Sequence, residues 1–189
     1  MKVDIRIKNE NWQRDLQEAA MNTINQTPEE AKKLTEELFR KYILSEHSPI
    51  RGIELRITLY DIPYHNSVHF ARHVHSIPYV STHRPDRIKR QRTLDDKCEH
   101  MMDINLQGLI DMARKRLCVG KCDKITYDYM EAIKKAFIDK GGYYKIIGDM
   151  LVPNCVYRNG CPEFKPCGFF KQTDKNIPER YAVFNDKVK

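Results

Sequence analysis

The chain has 189 residues, 41% of them hydrophobic, which suffices for one domain with a packed core and not for two comfortable ones. Lys and Arg number 33 against 26 Asp and Glu, a formal charge of +7 that favours an anionic partner, whether nucleotide or nucleic acid. No apolar run reaches bilayer length and none follows the opening Met-Lys-Val-Asp, so we expect neither a membrane span nor a secretion signal but a cytoplasmic protein, whose cysteines are thiols or metal ligands rather than disulfides.

In chain order, Lys2 to Ile7 alternates Val3, Ile5 and Ile7 with polar residues and predicts a short strand. Trp12 to Ile24 reads as a helix through Leu16, Ala19, Ala20 and Thr23. Thr27-Pro28-Glu29-Glu30 combines a capping box with proline in the first turn and predicts a second helix to about Leu44, burying Ala31, Leu34, Leu38 and Tyr42. Ser45 to Pro49 breaks it. Arg51 to Ile62 is the clearest strand, with Ile53, Leu55, Ile57 and Leu59 on one face.

The stretch from Asp61 to Arg87 then gathers five of the seven histidines (His65, His69, His73, His75 and His83). Asp61 reads as a cap, Pro63 suits a first turn, and no breaker follows before Pro78. On such a helix His65, His69, Arg72 and His73 share one face, while Val68 and Ala71 can pack inward. After Pro78 the β-rich Tyr79 to Thr82 leads into Arg84, Asp86 and Arg87. A polar helix face running into hydroxyls and arginines supplies the convergent donors that an anionic ligand needs.

Asp86 to Lys97 holds five Lys or Arg and three Asp, the composition of a solvated loop or of a basic lid. Asp103 to Leu117 is read as a helix capped by Asp103, with Asn105, Leu109, Met112 and Arg116 along one stripe. Tyr127 to Asp139 is another, ended by Gly141-Gly142. The cysteines fall as Cys98, the pair Cys118 and Cys122, and the trio Cys155, Cys161 and Cys167. The two-residue gap usual in thiolate zinc sites is missing, so no metal ligand is assigned. The trio with Cys118 or Cys122 nonetheless holds enough thiols for such a site.

Three pieces of this pattern resemble the flavin-dependent thymidylate synthases. Their signature is an Arg-His-Arg triplet, seven residues, a serine, and an arginine two places later. Here it reads Arg72, His73, Val74, then Thr82 and Arg84, with Ser81 one place before the threonine. Glu46-His47-Ser48-Pro49 is similar to the family's flavin-contacting segment ahead of a strand. Asn105 and Arg116 reproduce an asparagine and an arginine eleven residues apart that meet the flavin and the pyrimidine nucleotide. The resemblance covers Glu46 to Arg116, more faintly Ala19 to Thr23. Its departures are Val74 for arginine, Tyr79-Val80 for Asn-Glu, Gln107 for a flavin-contacting arginine and Asp111 for an asparagine.

The order of helices and strands argues an α+β fold; the resemblance implies a synthase-like one with helices around a central sheet, residues 1–142 binding nucleotide and flavin and residues 143–189 forming a cysteine-containing extension of the same domain. It implies reductive methylation of dUMP to dTMP, with FAD as cofactor, methylenetetrahydrofolate as one-carbon donor and NADPH as reductant, in a homotetramer whose sites draw on several subunits. Arg84 with Thr82 or Ser81 would hold the nucleotide phosphate. Arg72 and Arg116 would polarise the pyrimidine carbonyls, and His69 stands where the family has a nucleotide-contacting glutamine. Ser48, His73, Asn105, Gln107 and Asp111 would face the flavin. The rival readings are a relative that handles a pyrimidine nucleotide differently, without flavin, and a basic nucleic-acid-binding protein with a zinc knuckle. Single arginines in ordered motifs suit one nucleotide pocket better than a phosphate track.

Overall fold

The two alternating stretches ahead of the histidines pair with each other and nucleate a sheet. In the computed structural model, which describes residues 1–31, 33–93 and 96–187, four strands run antiparallel in the order β1-β2-β4-β3. They are β1 (Val3–Ile7), β2 (Glu54–Pro63), β3 (Ser76–Val80) and β4 (Lys97–Asn105). Ile5 lies opposite Ile57, Ile57 opposite Met102, Leu55 opposite Ile104 and Leu59 opposite His100. Side chains alternate along strands, so this register sets all of them on one face, and every one is buried.

The helices are α1 (Trp12–Thr23), α2 (Glu36–Leu44), α3 (Tyr64–Ala71), the single turn α4 (Pro85–Ile88), α5 (Leu106–Arg116), α6 (Lys124–Asp139), α7 (Gly142–Met150), α8 (Asn154–Arg158) and α9 (Ile177–Lys187). Their apolar stripes join the buried sheet face in one core that runs from Ile5 to Phe184. Trp12, Phe39 and Tyr143, from α1, α2 and α7, pack with ring centres 5.2 to 5.5 Å apart. The result is a mixed α+β fold with helices flanking a four-stranded antiparallel sheet. No helix among the described residues is long and apolar enough to cross a membrane.

The other sheet face is polar and partly open. Asp103 of β4 accepts two bonds from Arg56 of β2, both 2.7 Å, and one of 3.0 Å from Lys8 beyond β1. At the β3 edge, Ile77 and Tyr79 remain 60% and 46% exposed.

The structure corrects several boundaries. The second helix starts at Glu36, not at the Thr27 box; Pro28–Glu30 is an isolated 3-10 turn. The working cap is Thr35, whose hydroxyl accepts from Leu38 N at 3.2 Å, with Glu36 and Glu37 favourably placed at the positive helix end. Phe39 and Ile43 form its buried stripe while Leu38 and Tyr42 are only half-buried. Lys32, within the helix expected there, lies outside the described residues.

The histidine helix ends at Ala71, and Asn66, Ser67 and Phe70 face inward, with Val68 exposed. Asp61 is not its cap. It sits at φ 55 in a bulge that shifts the β2–β4 register between Leu59 and Ile62. Pro78 falls inside β3, tolerated because β3 pairs with β4 alone. Asp103 is a strand residue held by its ion pairs, and α5 is capped by Asn105, whose Oδ1 accepts from Gly108 N at 2.7 Å. The charged run from Asp86 begins as α4, and among its described residues 91–93 and 96 have no regular structure; its residues 94 and 95 lie outside the described residues.

Candidate functional site

Helix α5 assembles the residues that the motifs single out. It leaves β4 at Asn105 and runs past the link between α3 and β3. A Cβ on Gly108 would stand 2.8 Å from the Cβ of His75, so only glycine lets helix and link approach this closely. At the far end of α5, Arg116 Nε donates to His73 Nε2 at 3.0 Å and Arg116 Nη2 to the His69 carbonyl at 2.7 Å. His69, Arg72, His73 and Arg116, spread over 48 residues of chain (69 to 116), therefore share one corner.

The electrostatics of that corner follow from its geometry. Burial, then the charge of Arg116, pushes His73 down to about 4, so its ring is neutral near neutral pH. Arginine offers only donors, so His73 Nε2 is the bare nitrogen and Nδ1 carries the proton. His69 is likewise lowered, by burial, then by Arg116 and Arg72. Arg116 itself is lowered chiefly by burial. Two neutral imidazoles beside two guanidiniums make a donor-rich, cationic corner suited to an anion or to an electron-rich carbonyl.

At the start of α5, Asn105, Gln107 and Asp111 line a cavity of about 370 Å3 together with Glu46, Arg51 and His75. Gln107 Nε2 donates to Glu46 at 2.7 Å and to Asp111 at 3.3 Å. Both partners are carboxylates, so the amide orientation is fixed, and Gln107 Oε1 is left buried without a partner. Arg114 ties the floor together. It pairs with Glu46, bonds Asp111 at 2.9 Å, and stacks 3.6 Å over the Tyr157 ring. Sequence reading missed Arg51, His75 and Arg114. The acidic Asp111 three residues before Arg114 was a local signal, but its main partner, Glu46, is 68 residues away.

The remaining expected residues stand elsewhere. Ser48, itself exposed, opens the 3-10 turn Ser48–Gly52, whose Pro49 and Ile50 are buried, beside the cavity but not on its wall. Ser81, Thr82 and Arg84 follow the opposite end of β3. Ser81 continues the pairing with Glu99, its Oγ accepting from Glu99 N at 3.0 Å. Thr82 Oγ1 accepts from Arg84 N at 3.3 Å, and the exposed Arg84 forks onto Asp86 at 2.9 and 3.1 Å. Ser76, which β3 pairs with Ile104 near the head of α5, is five residues from Ser81, a separation of roughly 16 Å along an extended strand. Within one chain the Thr82–Arg84 pair and the Arg72–Arg116 corner thus occupy opposite ends of β3.

A larger cavity, about 530 Å3, lies under α9 and is lined by Glu131 and Lys134. Lys134 Nζ is consumed there by Gly148 O, Leu151 O and Asn185 Oδ1 at 2.7 to 3.0 Å, which marks it as a structural tie between α6, α7 and α9. No protein-family model matches the chain, and no curated protein matches it in sequence.

Proposed function

We propose that this chain is a divergent relative of the flavin-dependent thymidylate synthases that binds a pyrimidine nucleotide, and that it catalyses the reductive methylation of dUMP to dTMP. The observation that carries the reading is the convergence on α5. Segments 46–51, 69–75 and 105–116 carry separate pieces of the resemblance, and one helix carries the cavity at its start and the cationic corner at its far end.

Arg72 and Arg116 would meet the pyrimidine carbonyls, where preorganised positive charge stabilises an electron-rich ring. Arg116 is held for that role by His73 and the His69 carbonyl. Asn105, Gln107 and Asp111, with Arg51 and His75, would face FAD. The partnerless Gln107 Oε1 fits a ligand N–H or O–H donor. A cavity of about 370 Å3 takes one ring system rather than a whole dinucleotide, so the rest of FAD would lie on surface supplied by another copy. If bound, FAD would contribute hydride chemistry with NADPH as reductant and methylenetetrahydrofolate as carbon donor, while the chain's own residues would bind and orient the partners.

Because Arg84 and Arg116 lie at opposite ends of β3, a nucleotide that meets both would require a site shared between copies. In a homotetramer, Thr82 and Arg84 of one chain would hold the phosphate of a nucleotide whose ring lies at Arg72 and Arg116 of another. The exposed Ile77 and Tyr79 on edge strand β3 suit contact between copies.

The test is the visible spectrum of the purified protein, followed by FAD addition and dUMP-dependent oxidation of NADPH with folate present. A flavin band, and turnover that needs dUMP, support the synthase reading. A colourless protein that takes up no FAD yet binds dUMP would replace it with a flavin-free nucleotide-binding relative.

A further inference from the structure

Five of the six cysteines meet in one place. Cys118 and Cys122 bracket the turn between α5 and α6, Cys155 sits in the first turn of α8, and Cys161 and Cys167 belong to the coil beyond it. Together they line a cavity of about 160 Å3. Cys98 stands apart, buried under the sheet, its thiol donating to Ile62 O at 3.5 Å. Cys122 N donates to Cys118 O at 2.9 Å, closing one turn. Gly160 N donates to Cys155 O, also at 2.9 Å, closing a second turn just before Cys161, with Asn159 at φ 57. Cys167 rests on the first turn: a Cβ on Gly120 would lie 2.5 Å from Cys167 Cβ and 2.9 Å from its Sγ.

Two further features point to a cross-link at this cavity. The chain from Gly160 to Asn176 has no helix or strand, and it carries Phe164 fully exposed and Phe169 41% exposed. Its hydrogen bonds to the rest of the tail include the Asn159–Thr173 pair at 2.6 and 3.1 Å and Arg180 Nη1 on Lys175 O at 2.7 Å. A coil that long, with so little apolar cover, is ordinarily fixed by a disulfide or a metal. The thiols are all free. The cavity walls also include Arg114, Lys115, Arg116 and Lys121 against a single carboxylate, Glu163. Four thiolates around a divalent ion carry a net charge of about −2, which such a rim stabilises.

We propose that Cys118, Cys155, Cys161 and Cys167 hold one structural zinc ion as thiolates. A tetrahedral site places sulfurs about 2.3 Å from zinc and so roughly 3.8 Å from one another. Among the described residues, no group of three His, Cys, Asp or Glu side chains stands ready in metal-binding geometry, so the proposed site requires the four thiols to turn into the cavity as the ion enters. Zinc binds thiolates, so the ion displaces thiol protons on entry, and its binding energy becomes stability of the tail. Cys122 is the spare, its thiol lying beside the Arg116 guanidinium.

The test uses the full chain purified under reducing conditions from zinc-replete medium. The expected result is one zinc per chain by elemental mass spectrometry. Exchange with Co2+ should give tetrahedral bands and thiolate charge transfer of four-sulfur intensity, and a chelator should lower the melting temperature of the unaltered protein. Cys118→Ser, Cys155→Ser, Cys161→Ser and Cys167→Ser should each lose the metal, while Cys98→Ser and Cys122→Ser retain it. A chain with no stoichiometric zinc that gives no cobalt bands would overturn the proposal. So would a mass deficit showing disulfides among these five cysteines.

Discussion

Replacing His100 by leucine separates two effects of one buried ring. His100 sits in the middle of β4, fully buried against Phe70 with ring centres 6.1 Å apart, and neither ring nitrogen has a hydrogen-bond partner. Burial pushes it down from 6.5 to about 4. Between those limits the unfolded chain binds the extra proton, so stability is complete above about pH 6.5 and declines as pH falls toward 4. Linkage gives a loss of about 2 kcal/mol between about pH 7 and pH 5 from this group alone. His73, lowered to about 4 as well, adds to the same acid limb from a half-buried position. His100→Leu should remove only the first share. It should also relieve the buried unpaired nitrogens, worth about 1–2 kcal/mol at neutral pH, against a repacking cost of up to about 1 kcal/mol. Urea unfolding followed at the single tryptophan, the buried Trp12, measures both. The expected variant is at least as stable as the parent near pH 7 and about 2 kcal/mol flatter toward pH 5. Parallel acid limbs in the two proteins would refute the reasoning.

Other perturbations give equally definite outcomes. Asp103→Ala leaves Arg56 and Lys8 without their shared carboxylate on the open sheet face and should cost about 1–2 kcal/mol in urea unfolding at neutral pH. Its carboxyl is held at about 2, first by Arg56, so this contribution is present above about 4 and fades as pH falls toward 2; the variant and parent should converge there. Thr35→Ala removes the α2 cap and should cost about 1 kcal/mol, as thermal melts will show. Gly120→Ala sets a methyl against Cys167 and should destabilise by about 1–3 kcal/mol while speeding alkylation of Cys167, read by mass spectrometry.

The parts of the fold visible in the sequence are those where pattern and chemistry agree. Leu55, Ile57 and Leu59 alternate without interruption, and Trp12, Leu16 and Ala20 keep helical spacing, so β2 and α1 could be read directly. β4 was hidden because its inward positions are Cys98, His100, Met102 and Ile104, only one of them β-branched, and because Asp103 imitates a helix cap. The second helix reads as starting at the Thr27 box, whereas it begins after Thr35, with Phe39 and Ile43 as its buried stripe. At the candidate site, the spacing of Asn105 and Arg116 placed one residue at each end of α5, as found. The sequence could not show that β3 separates Thr82 and Arg84 from that corner, since this depends on strand pairing. Nor could it show Arg114, whose partners Glu46 and Tyr157 come from segments far along the chain.

The central claim is a pyrimidine nucleotide at the Arg72–Arg116 corner, completed by Arg84 of another copy. Calorimetric titration of dUMP into the FAD-treated protein tests it most directly. The account predicts saturable binding, weakened at least tenfold in both Arg116→Ala and Arg84→Ala, as expected when a charged hydrogen bond worth about 1.4 kcal/mol or more is lost. It also predicts partial recovery when the two variants are unfolded and refolded together, because some shared sites then regain both arginines. An absence of dUMP binding by the unaltered protein, with or without FAD, would contradict it.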